Sequence, residues 1–198
     1  MKPTEPLAPR PPEVPSDLTL SEPPAELSDL ELCFLDGVDL SGCDLKGIEF
    51  TDLIAEEGSW ANASAERMSL RRVRLERLRL TGVNLANAAI RDAVFVDCRI
   101  DLASLRFARL ERVSFQSCRM EEADFYSAEL ASVVFDDCNL AAATWAGATL
   151  TRSEMRGCNL AGAGNPERLR GVRMPWPDVV ASAGELAAAV GIEIIERR

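Results

Sequence analysis

The sequence predicts an all-β solenoid, on three observations. Every fifth residue from Leu35 to Leu160 is apolar, 26 positions in unbroken phase. The residue two places before each of them is small or apolar, from Cys33 and Val38 through Ala103 and Ala108 to Cys138 and Cys158. No charge falls in either series, although 27% of the chain is charged. A period of five fits neither the 3.6 of an α-helix nor the 2.0 of a flat strand. A short internal repeat instead builds a coil in which each unit buries its apolar side against the next. The remaining three positions of each unit carry Asp, Glu, Arg, Ser, Thr and Gly, and face water.

Several units read small residue, Asp or Asn, then a large apolar residue: Val38-Asp39-Leu40, Cys43-Asp44-Leu45, Val83-Asn84-Leu85, Ala123-Asp124-Phe125, Cys138-Asn139-Leu140 and Cys158-Asn159-Leu160. In this the chain resembles the pentapeptide-repeat proteins, over about two-thirds of its length. The resemblance implies a right-handed quadrilateral β-helix with four pentapeptides per coil. Residues 20 apart then stack, and the sequence supports this on its own. Phe95, Phe115 and Phe135 are spaced by 20, with Met155 following, and so are Cys98, Cys118, Cys138 and Cys158. At the ~4.8 Å separation of neighbouring strands, six and a half coils give a rod on the order of 30 Å long.

A chain of 198 residues is enough for one domain with a substantial core. No apolar run reaches the length of a membrane span, and the N-terminus has no apolar signal core, so the expectation is a cytoplasmic protein that does not enter a membrane. All six cysteines fall on the small inward position. They are expected to be reduced and structural, because no C-x2-C pair suggests a metal and a buried thiol behaves as a small hydrophobe.

In chain order, residues 1–24 hold eight of the eleven prolines and are expected to form a disordered or polyproline-like tail, serving as a linker or as a ligand for an SH3-like partner. Residues 25–164 form the β-helix. Glu26, Asp29 and Glu31 cap its first turn, and Ala25 to Leu32 supply a short cover for the open end. Residues 51–65 carry the weakest units, with Ala55, Gly58 and Ala65 underfilling the core and Trp60 large enough to compensate from the next face; the frame survives, which predicts a distorted coil or local bulge and not a long inserted loop. Residues 120–160 are the cleanest. The pattern ends at Gly162 and Gly164. Residues 165–198 are a linker and a capping helix that starts at Pro177, stops at Gly191 and presents Val179, Val180, Ala183, Leu186, Ala187 and Val190 on one face. Trp176, Ile192, Ile194 and Ile195 exceed what a cap needs. They either complete the cap or also meet a second copy of the chain, as dimeric members of the resembled family imply.

Charge is uneven. The net charge is −10. Residues 1–65 carry 3 basic and 14 acidic groups, residues 66–119 carry 12 and 6, and residues 120–160 carry 2 and 7. Within the basic belt Arg79, Arg99 and Arg119 are spaced by 20 and form one column, while Arg72 and Arg112 share another with Asp92 between them. Two readings stand for the belt: arginines tied up with Asp97, Asp101 and Glu111, or a stripe that binds an acidic partner.

Catalysis is not expected. The chain has no histidine, which removes the commonest general base and most zinc sites. It has no Walker A loop and no G-x-G-x-x-G, and no catalytic residue, metal or cofactor is assigned. A rigid solenoid surface suits the binding of another macromolecule. The resemblance implies the most specific form of this: an acidic DNA mimic that binds DNA gyrase and protects it from fluoroquinolones and other poisons. Candidate partner contacts are Asp39, Asp44 and Asp124 for that reading. For the alternative, a scaffold or adaptor that takes another protein or a small molecule on the basic belt, they are Arg79, Arg99 and Arg119. Direct nucleic-acid binding is not expected, because acidic ends repel phosphates.

Overall fold

The computed structural model describes residues 5–13, 19–22 and 29–195. Its core is one parallel sheet wound as a helix. The strands are β1 (Thr19–Leu20), β2 (Leu30–Asp36), β3 (Glu49–Glu56), β4 (Ser69–Glu76), β5 (Ala89–Val96), β6 (Arg109–Gln116), β7 (Glu129–Asp136), β8 (Thr149–Thr151) and β9 (Glu154–Arg156). Strands β1 to β8 pair in sequence order, and β9 also pairs with β7. From β2 on, each residue pairs with the one 20 further along, as in Phe95↔Phe115 and Phe115↔Phe135. One coil is therefore four pentapeptides. Faces 1 and 2 are the two halves of these strands, centred on residues such as Leu110 and Phe115. Faces 3 and 4 are held by single parallel bridges such as Arg79↔Arg99 and Asn84↔Ser104.

The chain turns a corner every five residues by placing one residue in the left-handed region. In the coil after β3, Glu57, Asn62 and Arg67 lie at φ 56, 57 and 58. The amide of Ala63 donates to the carbonyl of Trp60 across such a corner at 3.1 Å. This is a four-residue turn whose third residue needs positive φ. Gly, Asn, Asp and Ser tolerate that region, which is why they recur at these positions.

Inside the rod, large residues stack upon large ones. Phe95, Phe115 and Phe135 form a column with ring centroids 4.8 and 5.1 Å apart, and Phe125 stacks on Trp145 at 4.3 Å. The thiols of Cys98, Cys118, Cys138 and Cys158 each donate to backbone carbonyls of their own coil and the neighbouring one, such as Cys138 to Phe115 at 3.5 Å. Cys138 is pushed up to about 12, first by its neighbour Cys118 in the ladder and further by burial. Because the other five cysteines are buried, a thiol-specific reagent at pH 8 is expected to label half-buried Cys43 first. The ladder thiols should react only on unfolding, and fast labelling of four or more thiols in the native protein would contradict this packing.

The coil at residues 51–65 is regular, not bulged. Leu53↔Val73 and Ala55↔Leu75 keep the register. Trp60 is buried and meets Phe50 edge-on at 5.6 Å, filling the space beside Ala55 and Ala65. Gly58 sits where a Cβ would come within 2.3 Å of the carbonyl oxygen of Val38. Its lack of a side chain is a fit to a close backbone approach, not a gap.

Both ends differ in detail from the sequence expectation. Residues 25–28, part of the expected N-terminal cover, lie outside the described residues, and Leu30–Asp36 is strand, not cover. Thr19–Leu20, within the stretch expected as a tail, pair as β1 with Phe34 and Leu35. At the other end a 3-10 turn (Pro166–Leu169) precedes two short helices, α1 (Trp176–Ala181) and α2 (Ala183–Ala189), where one was expected. The break falls at Ser182, which is buried and leaves the helical region at φ −98, ψ 19. Gly191 ends α2 at φ 76, as its position suggested.

Candidate partner-binding faces

Face 3 carries the arginine column. Consecutive bridges run Asp39↔Ser59, Ser59↔Arg79, Arg79↔Arg99, Arg99↔Arg119, Arg119↔Asn139 and Asn139↔Asn159. The three arginines are thus brought together on successive coils, all exposed. Arg119 pairs with Glu121 at 3.2 Å and Asp101 at 3.9 Å. Arg79 and Arg99 make no ion pair with any described residue. The expected neutralisation by Glu111 goes elsewhere, because Glu111 reaches Arg91 at 2.9 Å and also binds Arg112. Asp97 makes no ion pair among the described residues. Two arginines on neighbouring coils, whose strands lie about 4.8 Å apart, therefore stand on one strip of surface without an ion-pair partner among the described residues.

The acidic candidates do not form one patch. Asp39 lies at the start of face 3, whereas Asp44 and Asp124 lie on face 4, four coils apart, in the column Asp44, Ser64, Asn84, Ser104, Asp124, Thr144. Each carboxylate accepts the amide two residues on: Asp39 from Ser41 at 2.8 Å, Asp44 from Lys46 at 3.2 Å, Asp124 from Tyr126 at 2.8 Å. Asn84, Asn139 and Asn159 do the same. The Asp or Asn of the repeat is a turn-forming residue that satisfies a corner amide. Hydrogen bonds from Ser41 hold the Asp39 carboxyl below its usual range. Asp124 is also bound by Arg106 at 2.7 Å.

One surface feature was missed in the sequence. Phe107 and Tyr126 meet edge-on at 5.4 Å, and the Arg106 guanidinium lies 4.3 Å from the Tyr126 ring centre. Phe107 and nearby Leu102 are exposed at left-handed corners, with φ 58 and 59, where most residues are glycine, polar or charged. The signal was present as a bulky residue at a corner position of the repeat. At the C-terminal end, Trp176, Ile192, Ile194 and Ile195 are all exposed.

No cluster of metal-ligating side chains occurs among the described residues. No helix among them is long and apolar enough to cross a membrane. Fold and surface together define a non-globular repeat protein whose chemistry lies on long outer strips. The family model for the pentapeptide repeat region matches residues 68–145 and 107–164, and the chain belongs to the pentapeptide-repeat proteins. No curated protein matches it. Among solved structures it is similar to full-length QnrB1, a plasmid-mediated fluoroquinolone resistance protein, at 15% identity and a TM-score of 0.41, covering 88% of this chain and 97% of that one. It is also similar to HetL of the cyanobacterium Nostoc, a pentapeptide repeat protein involved in heterocyst differentiation regulation, at 18% identity and a TM-score of 0.38, covering 81% and 87%. A third is a pentapeptide repeat protein of the Arabidopsis thaliana thylakoid lumen, at 20% identity and a TM-score of 0.32, covering 73% and 77%.

Proposed function

We propose that this chain is a non-enzymatic, protein-binding rod that takes an acidic segment of a partner along face 3. The observation that carries the reading is the pair of exposed arginines, Arg79 and Arg99, stacked without an ion pair to any described residue and continued by Arg119. A rigid backbone that spaces guanidinium groups evenly suits carboxylates on an extended chain, since the cost of binding is confined to ordering the arginine side chains.

The second reading is a DNA mimic that binds DNA gyrase and protects it from inhibitors. The net charge of −10 and the acidic ends favour it, because such a rod is drawn to a cationic groove. Both readings are separated by one variant, Arg79→Glu with Arg99→Glu and Arg119→Glu. Binding of a poly-glutamate peptide is expected to fall by about tenfold or more and to weaken with salt in the parent. Supercoiling by purified gyrase, titrated with parent and variant with and without a fluoroquinolone, reads the other. Equal or better protection by the variant would favour mimicry and sink the acidic-partner reading.

The exposed Ile192, Ile194 and Ile195 are proposed as the place where two rods meet. Ile194→Glu is expected to convert a dimer to a monomer in sedimentation equilibrium without changing the melting temperature of the rod by more than a few degrees. A parent that is monomeric at high micromolar concentration would refute it.

A further inference from the structure

The edge between faces 1 and 2 carries a second arrangement, and it repeats every 40 residues. The corner residues down this edge are Asp52, Arg72, Asp92, Arg112, Ser132 and Arg152, all at left-handed φ. Asp52 is gripped by the Arg72 guanidinium, with Nε donating at 2.6 Å and Nη2 also bound. Asp92 is gripped in the same way by Arg112, with Nε at 2.6 Å and Nη2 at 2.8 Å. Both carboxylates are buried, and each Oδ1 accepts a third hydrogen bond from the N-terminal segment. The amide of Glu13 donates to Asp52 at 3.2 Å and the amide of Arg10 donates to Asp92 at 3.1 Å. Further along, Glu5 lies 3.5 Å from Arg173 beyond the last strand. The segment runs along the rod against the direction in which the coils advance.

The spacing fits one backbone conformation. Two coils are about 9.6 Å. Three residues of polyproline II are about 9.3 Å and make one full turn, so residues three apart face the same side. A β-strand of the same length would turn residues 10 and 13 to opposite sides. The sequence carries the matching period, with proline at 3, 6, 9, 12 and 15, and each of these is followed by a residue with a free amide. Arg10 follows Pro9 and Glu13 follows Pro12. Burial along the edge agrees. Thr51, Asp52, Asp92, Ser114 and Ser132 are outward-facing polar residues, yet all are buried.

We propose that this edge is a polyproline-II-binding groove, read by backbone amides at three-residue spacing, and that the chain's own Pro-x-x segment is its resident ligand. The Arg-clamped carboxylates are the acceptors. Prolines fix the conformation beforehand, so little entropy is lost on docking. The third rung of the series is incomplete. Ser132 stands where a third Asp would be, and its buried Oγ has no hydrogen-bond partner among the described residues. Arg152, the matching clamp, makes no ion pair there either. The amide that this rung would hold is that of Leu7.

The full-length chain tests this by amide hydrogen exchange. Arg10 and Glu13 are expected to exchange at least about tenfold more slowly than in a free peptide of residues 3–17. A full-length release variant with Pro6, Pro9 and Pro12 changed to Gly should lose that protection. The free peptide should then bind the release variant and bind the parent at least about tenfold more weakly, since the parent's groove is filled. A peptide with one Ala inserted between Pro11 and Pro12 breaks the three-residue phase and should lose about tenfold in affinity for the release variant. Ser132→Asp should slow exchange at Leu7. Exchange of Arg10 and Glu13 at free-peptide rates, or equal binding of the inserted and natural peptides, would overturn the proposal. So would unchanged Leu7 exchange in a folded Ser132→Asp protein.

Discussion

Phe115→Asp is expected to abolish cooperative folding. Phe115 is fully enclosed between Phe95 at 4.8 Å and Phe135 at 5.1 Å. A carboxylate there has no donor within the column and no route to water, and burying an unpaired charge costs several kcal/mol even after its pKa rises. The lost aromatic burial adds about 3 kcal/mol. The sum reaches the whole stability of an ordinary domain, about 5–15 kcal/mol. A solenoid makes the effect sharper, because each coil is held only by its neighbours and a failed coil separates the two halves. Circular dichroism melts of the parent, Phe115→Asp and Phe115→Leu check it. The Leu variant should lose only about 1 kcal/mol and keep the transition. A Phe115→Asp melt that matches the parent would disprove the inward register.

That register was legible in the sequence because one rule governs every coil. The large residue of each pentapeptide must point inward, so one frame accounts for Leu35 through Leu160 without exceptions. The stacking of Arg79, Arg99 and Arg119 followed from the same 20-residue repeat. Which acid neutralises which arginine did not follow. That depends on side-chain reach across coils, and Glu111 goes to Arg91 and Arg112 while Arg79 and Arg99 receive none. The regularity of residues 51–65 was misjudged because residues were weighed singly. Compensation by Trp60 from the next face was expected, but Gly58 was counted as a gap, whereas it fits a close approach of the Val38 carbonyl that a linear pattern hides. The helix break at Ser182 had a local signal that was passed over, since Ser182 and Gly184 are weak helix formers inside an otherwise alanine-rich stretch. The docking of residues 10 and 13 was the least visible. Its acceptors, Asp52 and Asp92, lie 39 and 82 positions away and show themselves only once coils are stacked.

Asp92→Ala is expected to cost about 3–5 kcal/mol, the second largest effect among these changes. The carboxylate and the Arg112 guanidinium are both largely withdrawn from water, with side-chain exposures of 5% and 14%. Removing one partner of such a pair leaves a desolvated charge without compensation. The double variant Asp92→Ala with Arg112→Met should recover most of the loss, because an apolar pair satisfies the same space. The pH dependence carries the same sign. The side-chain hydrogen bond from Arg112 holds the Asp92 carboxyl below its usual range, with a further contribution from the Arg10 amide, and Arg72 does the same to Asp52. A carboxylate with a lowered folded-state pKa stabilises the protein at neutral pH and loses that contribution as pH falls below about 4. The parent should therefore lose melting temperature steeply on acidification, whereas the double variant should lose less. Parallel acid-denaturation curves for the two proteins would show that the Asp92–Arg112 pair is not a main source of the acid sensitivity.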